Sequence, residues 1–143
     1  MKKIVRSALL PFSADQVYHL VNDVARYPEF LPWCGGAEVL NASEYEMRAG
    51  VMITKAGIKQ KFVTQNHLVP GRRIEMHLID GPFKSLKGEW QFKPLDRDAC
   101  KIQFEVEFEV SNGLLNLAIG PIFEQIASTM VDSFSKRAKQ IYG

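Results

Sequence analysis

The chain has 143 residues, 46% of them hydrophobic and 24% charged, a size and balance that fit one globular domain over 1–143 and leave no room for a second core. Its 18 basic and 16 acidic residues give a formal charge of +2, far below the excess of a dedicated DNA-binding module, although local basic patches are allowed. Ten Gly and seven Pro are spread without a low-complexity block, and the two cysteines, Cys34 and Cys100, lie far apart, which excludes a CxxC redox pair and a Cys-rich zinc site and fits a reducing cytoplasm.

Met1-Lys2-Lys3 has the charge of a signal-peptide start, but the apolar stretch behind it is interrupted by Arg6 and stops at Pro11, so no export signal is expected. The longest apolar tract, Leu114 to Phe123, contains Asn116, Gly120 and Pro121 and falls short of the roughly 20 residues a bilayer-spanning helix needs. No transmembrane segment is expected.

Ile4 to Leu10, ended by Pro11, reads as a terminal or edge strand. Ser13-Ala14-Asp15-Gln16 has the spacing of a capping box, with Phe12 set to staple onto Val17. Val17, Leu20, Val21 and Val24 then recur at helical spacing, which predicts a helix to about Ala25 and a second short helix starting near Pro28. From Ala37 to Val110 the period becomes two. Tyr45, Met47, Ala49, Val51 and Ile53 alternate with mostly polar neighbours, Ala56-Gly57 turns the chain, and Ile58, Phe62 and Leu68 follow. Pro70-Gly71 precedes Ile74, Met76 and Leu78; Asp80-Gly81-Pro82 precedes Leu86, Trp90 and Phe92. In the last strand Ile102, Phe104, Val106, Phe108 and Val110 face one way, and Lys101, Gln103, Glu105, Glu107 and Glu109 the other. After Ser111-Asn112-Gly113, the residues Leu115, Ile119, Ile122, Ile126, Met130, Phe134, Ala138 and Ile141 share one helical stripe. That predicts one helix of about 45 Å with a kink at Pro121. A strand, two helices, a meander of about six strands and a long helix describe an α+β domain whose curved antiparallel sheet wraps around its last helix.

Tyr27-Pro28-Glu29-Phe30-Leu31-Pro32-Trp33-Cys34 and Asp80-Gly81-Pro82-Phe83-Lys84, with Gly88 and Trp90, resemble the START-like coenzyme Q-binding family. The likeness spans essentially the whole chain, and Lys55-Ala56-Gly57-Ile58 with Phe134 and Arg137-Ala138 brings it nearest to the bacterial branch of ribosome association toxins. The resemblance implies a helix-grip fold with an apolar cavity. It also implies ubiquinone or lipid binding, as in mitochondrial relatives, and inhibition of translation through the large ribosomal subunit, as in bacterial ones, where a cognate antitoxin is a further possible partner.

With that resemblance, the inward set of Phe62, Trp90, Phe92, Phe104, Phe108, Phe123 and Phe134 with Met47, Met76 and Met130 suits a pliable pocket for an isoprenoid tail, although any small domain needs such a core. Val51, Leu78 and Ile126 belong to the same expected lining, and Phe83, after its Gly-Pro turn, is placed to close the cavity mouth. Gln60, Thr64 and Asn66 share the inward phase of Phe62 and Leu68; they either orient a ligand carbonyl or form a satisfied polar cluster. None is a good general base near neutral pH. A GxSxG elbow, a P-loop, GxGxxG and HExxH are all missing, so no catalytic residue, metal ligand or required cofactor is assigned, and a polyketide cyclase-like enzyme ranks third behind a ribosome-binding and a ubiquinone-binding protein. His67 and His77 flank Glu75 on neighbouring strands but in the outward phase, which predicts solvated histidines; His19 is expected to be exposed and Cys34 a buried structural thiol. Of the small basic groups, Lys55, Lys59 and Lys61 around the Ala56-Gly57 turn are expected to be contiguous and to offer the contact to ribosomal RNA.

Overall fold

Alternation of apolar and polar residues with period two puts one face of each strand in the core. In the computed structural model, which describes residues 1–113 and 117–143, these strands form a 7-stranded antiparallel sheet. The elements are β1 (Lys2–Leu10), α1 (Ala14–Asn22), a 3-10 segment (Val24–Glu29), β2 (Cys34–Ala42), β3 (Glu46–Lys55), β4 (Ile58–Val69), β5 (Arg73–Asp80), β6 (Phe83–Asp96), β7 (Ala99–Val110) and α2 (Ile119–Tyr142). Neighbours run β1-β7-β6-β5-β4-β3-β2. The meander expected over 37–110 is therefore β2 to β7, with β2 starting at Cys34, and β1 closes onto β7 as an edge strand.

Residues Ile102, Phe104, Val106 and Phe108 of β7 are buried, and the inner face of the sheet grips α2 through aromatic contacts. Phe108 meets Phe123 at a centroid distance of 4.8 Å, and Trp90 meets Phe134 at 5.3 Å. Burial of one face by a helix laid across it is what fixes the register, because a slip of one residue would turn every apolar side chain outward.

The capping box forms as expected: the Ser13 hydroxyl accepts from the Gln16 N–H, and the Gln16 side chain accepts from the Ser13 N–H. Other boundaries differ from expectation. The first helix ends at Asn22, because Asp23 (φ −84°, ψ 66°) leaves helical geometry, and the chain resumes as the 3-10 segment. Pro28 lies inside that segment rather than opening a second helix; a proline has no N–H to continue an α-helix from the preceding turn. Tyr45 is 61% exposed between β2 and β3 instead of joining the inward row.

The C-terminal helix has 24 residues, about 36 Å at the usual rise, shorter than expected. Pro121 falls in its first turn, where N–H groups have no partner within the helix anyway, so the proline needs no kink. Ile141 is exposed at the far end, and Leu115, the first residue of the expected stripe, lies outside the described residues. No helix of the described residues is long and apolar enough to cross a membrane.

Candidate functional site: a cavity between sheet and helix

The grip of the sheet on α2 is incomplete, and a cavity of about 80 Å³ remains between them. Among the residues expected to line it, Val51 of β3, Phe62, Thr64 and Asn66 of β4, and Met76 of β5 do so. Trp90 of β6, Phe104 of β7, and Phe123, Ile126 and Met130 of α2 complete that group.

Six other expected residues, Met47, Leu78, Phe83, Phe92, Phe108 and Phe134, do not line the cavity. Phe92 is covered by Tyr18 of α1, with ring centroids 5.6 Å apart. Phe83 and Phe108 pack on Phe123 at 4.9 and 4.8 Å, so Phe83 belongs to an aromatic cluster near the start of α2 rather than to the cavity wall. Met47 is buried elsewhere on the inner face, and Leu78 is half-buried near the Gly81 turn. The wall also includes Val24, Tyr27, Trp33, Ala49, Leu86, Val106 and Ala127, which nothing in the sequence marks as cavity lining.

One polar pair interrupts the apolar wall. Thr64 and Asn66 are 5% and 4% exposed, and the Thr64 hydroxyl donates to Asn66 Oδ1 at 2.8 Å. Gln60, in the same phase, lies nearer the hairpin tip and does not line the cavity. The Tyr27 hydroxyl is occupied in donating to the Val21 carbonyl, and burial raises its pKa far above the usual phenol value. The indole N–H of Trp33 is buried without an acceptor among the described residues. Among the described lining residues there is no Asp, Glu, Lys, Arg, His or Cys, so the wall carries no group able to exchange a proton near neutral pH.

The Tyr27–Cys34 sequence and the Phe134, Arg137 pair meet in space. Arg137 Nη2 bonds Glu29 Oε1 at 2.8 Å, and its guanidinium sits 4.9 Å from the centroid of the Phe30 ring. Tyr27 and Phe30 both pack edge-on against Phe134, at 5.4 and 5.3 Å. These contacts pin the 3-10 segment, and with it the Val24 and Tyr27 part of the cavity wall, to α2.

The remaining candidates lie away from the cavity. His67 and His77 project from the outer face with ring centroids 5.5 Å apart. His67 Nδ1 is 2.8 Å from Glu46, and His77 Nε2 is 4.0 Å from Glu75. Among the described residues no group of three or more His, Cys, Asp or Glu is arranged to hold a metal ion. His19 is exposed. Cys34 and Cys100 are buried free thiols whose pKa values burial pushes up, which makes them poor nucleophiles.

Lys59 and Lys61 are exposed on the outer face of β4, and Lys61 bonds Glu38 at 2.6 Å. Lys55 does not join them on that face. It pairs with Ile58 across the two-residue turn, and directly opposed residues of an antiparallel pair share a face; Ile58 has the inward phase, so Lys55 has it too. The three lysines thus occupy both faces of a hairpin tip rather than one patch.

Residues 10–135 match the family described as polyketide cyclase/dehydrase and lipid transport. The Ribosome association toxin RatA of Vibrio cholerae is 56% identical over 143 residues, covering 100% of this chain and 99% of that one. The mitochondrial Coenzyme Q-binding protein COQ10 homolog B of Xenopus laevis is 30% identical over 141 residues, 96% of this chain and 58% of that one. Among solved structures, the Zhui aromatase/cyclase from a Streptomyces species superposes with a TM-score of 0.85 at 15% identity, covering 97% of this chain and 94% of that one; at that identity the likeness concerns the fold. The helix-grip, START-like fold is therefore shared with cyclases, while sequence likeness along the entire chain points elsewhere. The chain belongs to the polyketide cyclase/dehydrase and lipid transport family and, within it, groups with the full-length relatives named ribosome association toxin RatA.

Proposed function

We propose that the chain is a non-catalytic binding protein of the ribosome association toxin type, which binds the large ribosomal subunit and blocks its joining with the small one. The observation that carries this reading is the 56% identity, end to end, with a protein of that name. A wall without a titratable group active near neutrality supports the non-catalytic part. The reading puts the chain in the cytoplasm and allows a cognate antitoxin as a further partner.

For the contact with ribosomal RNA we assign the β3–β4 hairpin tip. Pairing of β4 with β5 begins only at Val63, and that of β3 with β2 reaches only Ile53. Residues 55–61 therefore pair with each other and with β3 alone, as a two-stranded ribbon with Lys59 and Lys61, the latter ion-paired to Glu38, on one face and Lys55 on the other. Cations on both faces of a projecting ribbon suit insertion between two phosphate backbones, a binding mode that salt weakens because counterions are released. Cosedimentation with purified large subunits tests the assignment. Reversal of Lys55, Lys59 and Lys61 together to Glu should lower binding at least about tenfold, and raised salt should act in the same direction. Binding that survives both would remove the hairpin from the contact.

A second reading is favoured by the cavity itself: an apolar molecule, ubiquinone or another isoprenoid lipid, occupies it. Apolar side chains with a few polar groups are the usual lining of small-molecule sites. At about 80 Å³, the cavity is smaller than the roughly 150 Å³ that accommodates benzene, so a ligand of that size must push the wall outward. Met76 and Met130 in the lining are flexible enough to yield. Native mass spectrometry of freshly purified protein tests this reading; a copurifying lipid or quinone supports it, and protein without bound small molecule at saturating added quinone contradicts it.

A further inference from the structure

We propose that the cavity selects neutral carbonyl compounds, with the Asn66 carboxamide and the Trp33 indole N–H donating to the carbonyl oxygen of the ligand. This rests on the reading of the cavity as a ligand site. Two observations carry it. The Thr64 hydroxyl donates to Asn66 Oδ1, which fixes the carboxamide and leaves its Nδ2 donors with no protein acceptor among the described residues. In the same wall, the Trp33 indole N–H is buried and has no acceptor either. Both side chains are more than nine-tenths buried, at 4% and 7% exposure, so bulk water does not readily compensate them. A buried donor without an acceptor is costly, and a ligand oxygen that accepts from it recovers that cost.

The rest of the wall narrows the class. No cation lines it among the described residues, so a carboxylate would lose its hydration without gaining a counter-charge. A pure hydrocarbon would leave both donors unpaired. A neutral molecule with one acceptor oxygen and an apolar body satisfies donors and wall together.

The test uses the full chain and three small probes of similar bulk: cyclohexanone, methylenecyclohexane, in which a CH₂ group replaces the oxygen, and cyclohexanecarboxylate. The sequence holds only two tryptophans, Trp33 and Trp90, so a ¹⁵N-labelled sample shows two indole signals, and Trp33→Phe assigns them. Cyclohexanone should move the Trp33 indole and Asn66 carboxamide proton signals downfield and bind about tenfold or more tightly than methylenecyclohexane, while the carboxylate fails to bind. Asn66→Leu should reduce the ratio of ketone to hydrocarbon affinity measured in the same variant, with Trp33 left as the one remaining donor of the pair. Should that variant not fold, Trp33→Phe provides the same comparison, since it keeps an aromatic ring and removes the N–H. Equal binding of ketone and hydrocarbon, with both donor signals unmoved, would overturn carbonyl recognition and leave an apolar cavity. Failure of every probe to bind would overturn the ligand reading and this proposal together.

Discussion

Phe104 and Phe92 offer a controlled comparison, because both are buried in the same core, at 4% and 1% exposure, and only Phe104 borders the cavity. Replacing a packed core Phe by Ala costs about 3 to 5 kcal/mol, the sum of lost burial and of the void left behind. Phe92 loses more partners: it stacks on Trp90 at 6.2 Å and meets Tyr18 at 5.6 Å, whereas the aromatic partner of Phe104 is Trp90 at 4.6 Å. One aromatic contact is worth about 0.5 to 1.5 kcal/mol beyond area, and Phe104 already has empty space on one side. Phe104→Ala should therefore fall near 3 kcal/mol and Phe92→Ala near 5 kcal/mol. At roughly 2 to 4 °C per kcal/mol, this corresponds to melting temperatures lowered by about 6 to 12 °C and 10 to 20 °C. Thermal unfolding with and without saturating benzene provides the assay: the enlarged void of Phe104→Ala should take up benzene and recover part of its stability through mass action, and Phe92→Ala should recover less. If Phe104→Ala costs as much as Phe92→Ala and benzene rescues neither, the cavity is not where the structure puts it.

Ser13→Ala should cost about 1 kcal/mol by uncapping α1, read as a shift in the urea midpoint; an unchanged midpoint would contradict the capping box. Gly71→Ala should cost about 1 to 2 kcal/mol, because Gly71 has φ +74° and a Cβ there would lie 2.1 Å from the Asp15 carboxylate; Gly57→Ala, at φ +79° with open space around it, should show the backbone cost alone. Stability should decline as pH rises past about 9. Burial holds the Cys34 and Cys100 thiols above their ordinary 9.0 and the Tyr27 phenol higher still, so the unfolded chain releases these protons first. Their contribution is complete below the unfolded values and is lost as pH rises through the folded ones, and a urea midpoint equal at pH 7 and pH 10 would contradict it.

Strand phase in the sequence was enough to put Thr64, Asn66 and Phe62 on the inner face, and the structure brings all three to the cavity. Phase does not reveal where along the inner face a helix fills the space. Phe92 shares a face with Trp90, yet Tyr18 of α1 covers the former and a void adjoins the latter. Nothing in the sequence marks Ala49, Val106 and Ala127 as bordering a void, because small side chains make a void by what they fail to fill, a property of the packed neighbours rather than of the residue. Trp33 lies in a stretch with no period to follow, although its indole N–H would have marked it as a donor in need of a partner. The position of Lys55 was legible: a two-residue turn at Ala56-Gly57 forces Lys55 opposite Ile58, and only counting phase across the turn exposes the change of face. The end of α1 at Asn22 depends on the non-helical dihedrals of Asp23, for which the sequence offers no strong breaker until Pro28.

Joining of purified small and large ribosomal subunits, followed by light scattering as the chain is titrated in, addresses the proposed function most directly. The scattering amplitude should fall toward that of separate subunits as the chain saturates the large subunit, and the Lys55, Lys59 and Lys61 triple reversal should require a higher concentration for the same effect. Undiminished joining at a saturating concentration of folded chain would contradict the proposal.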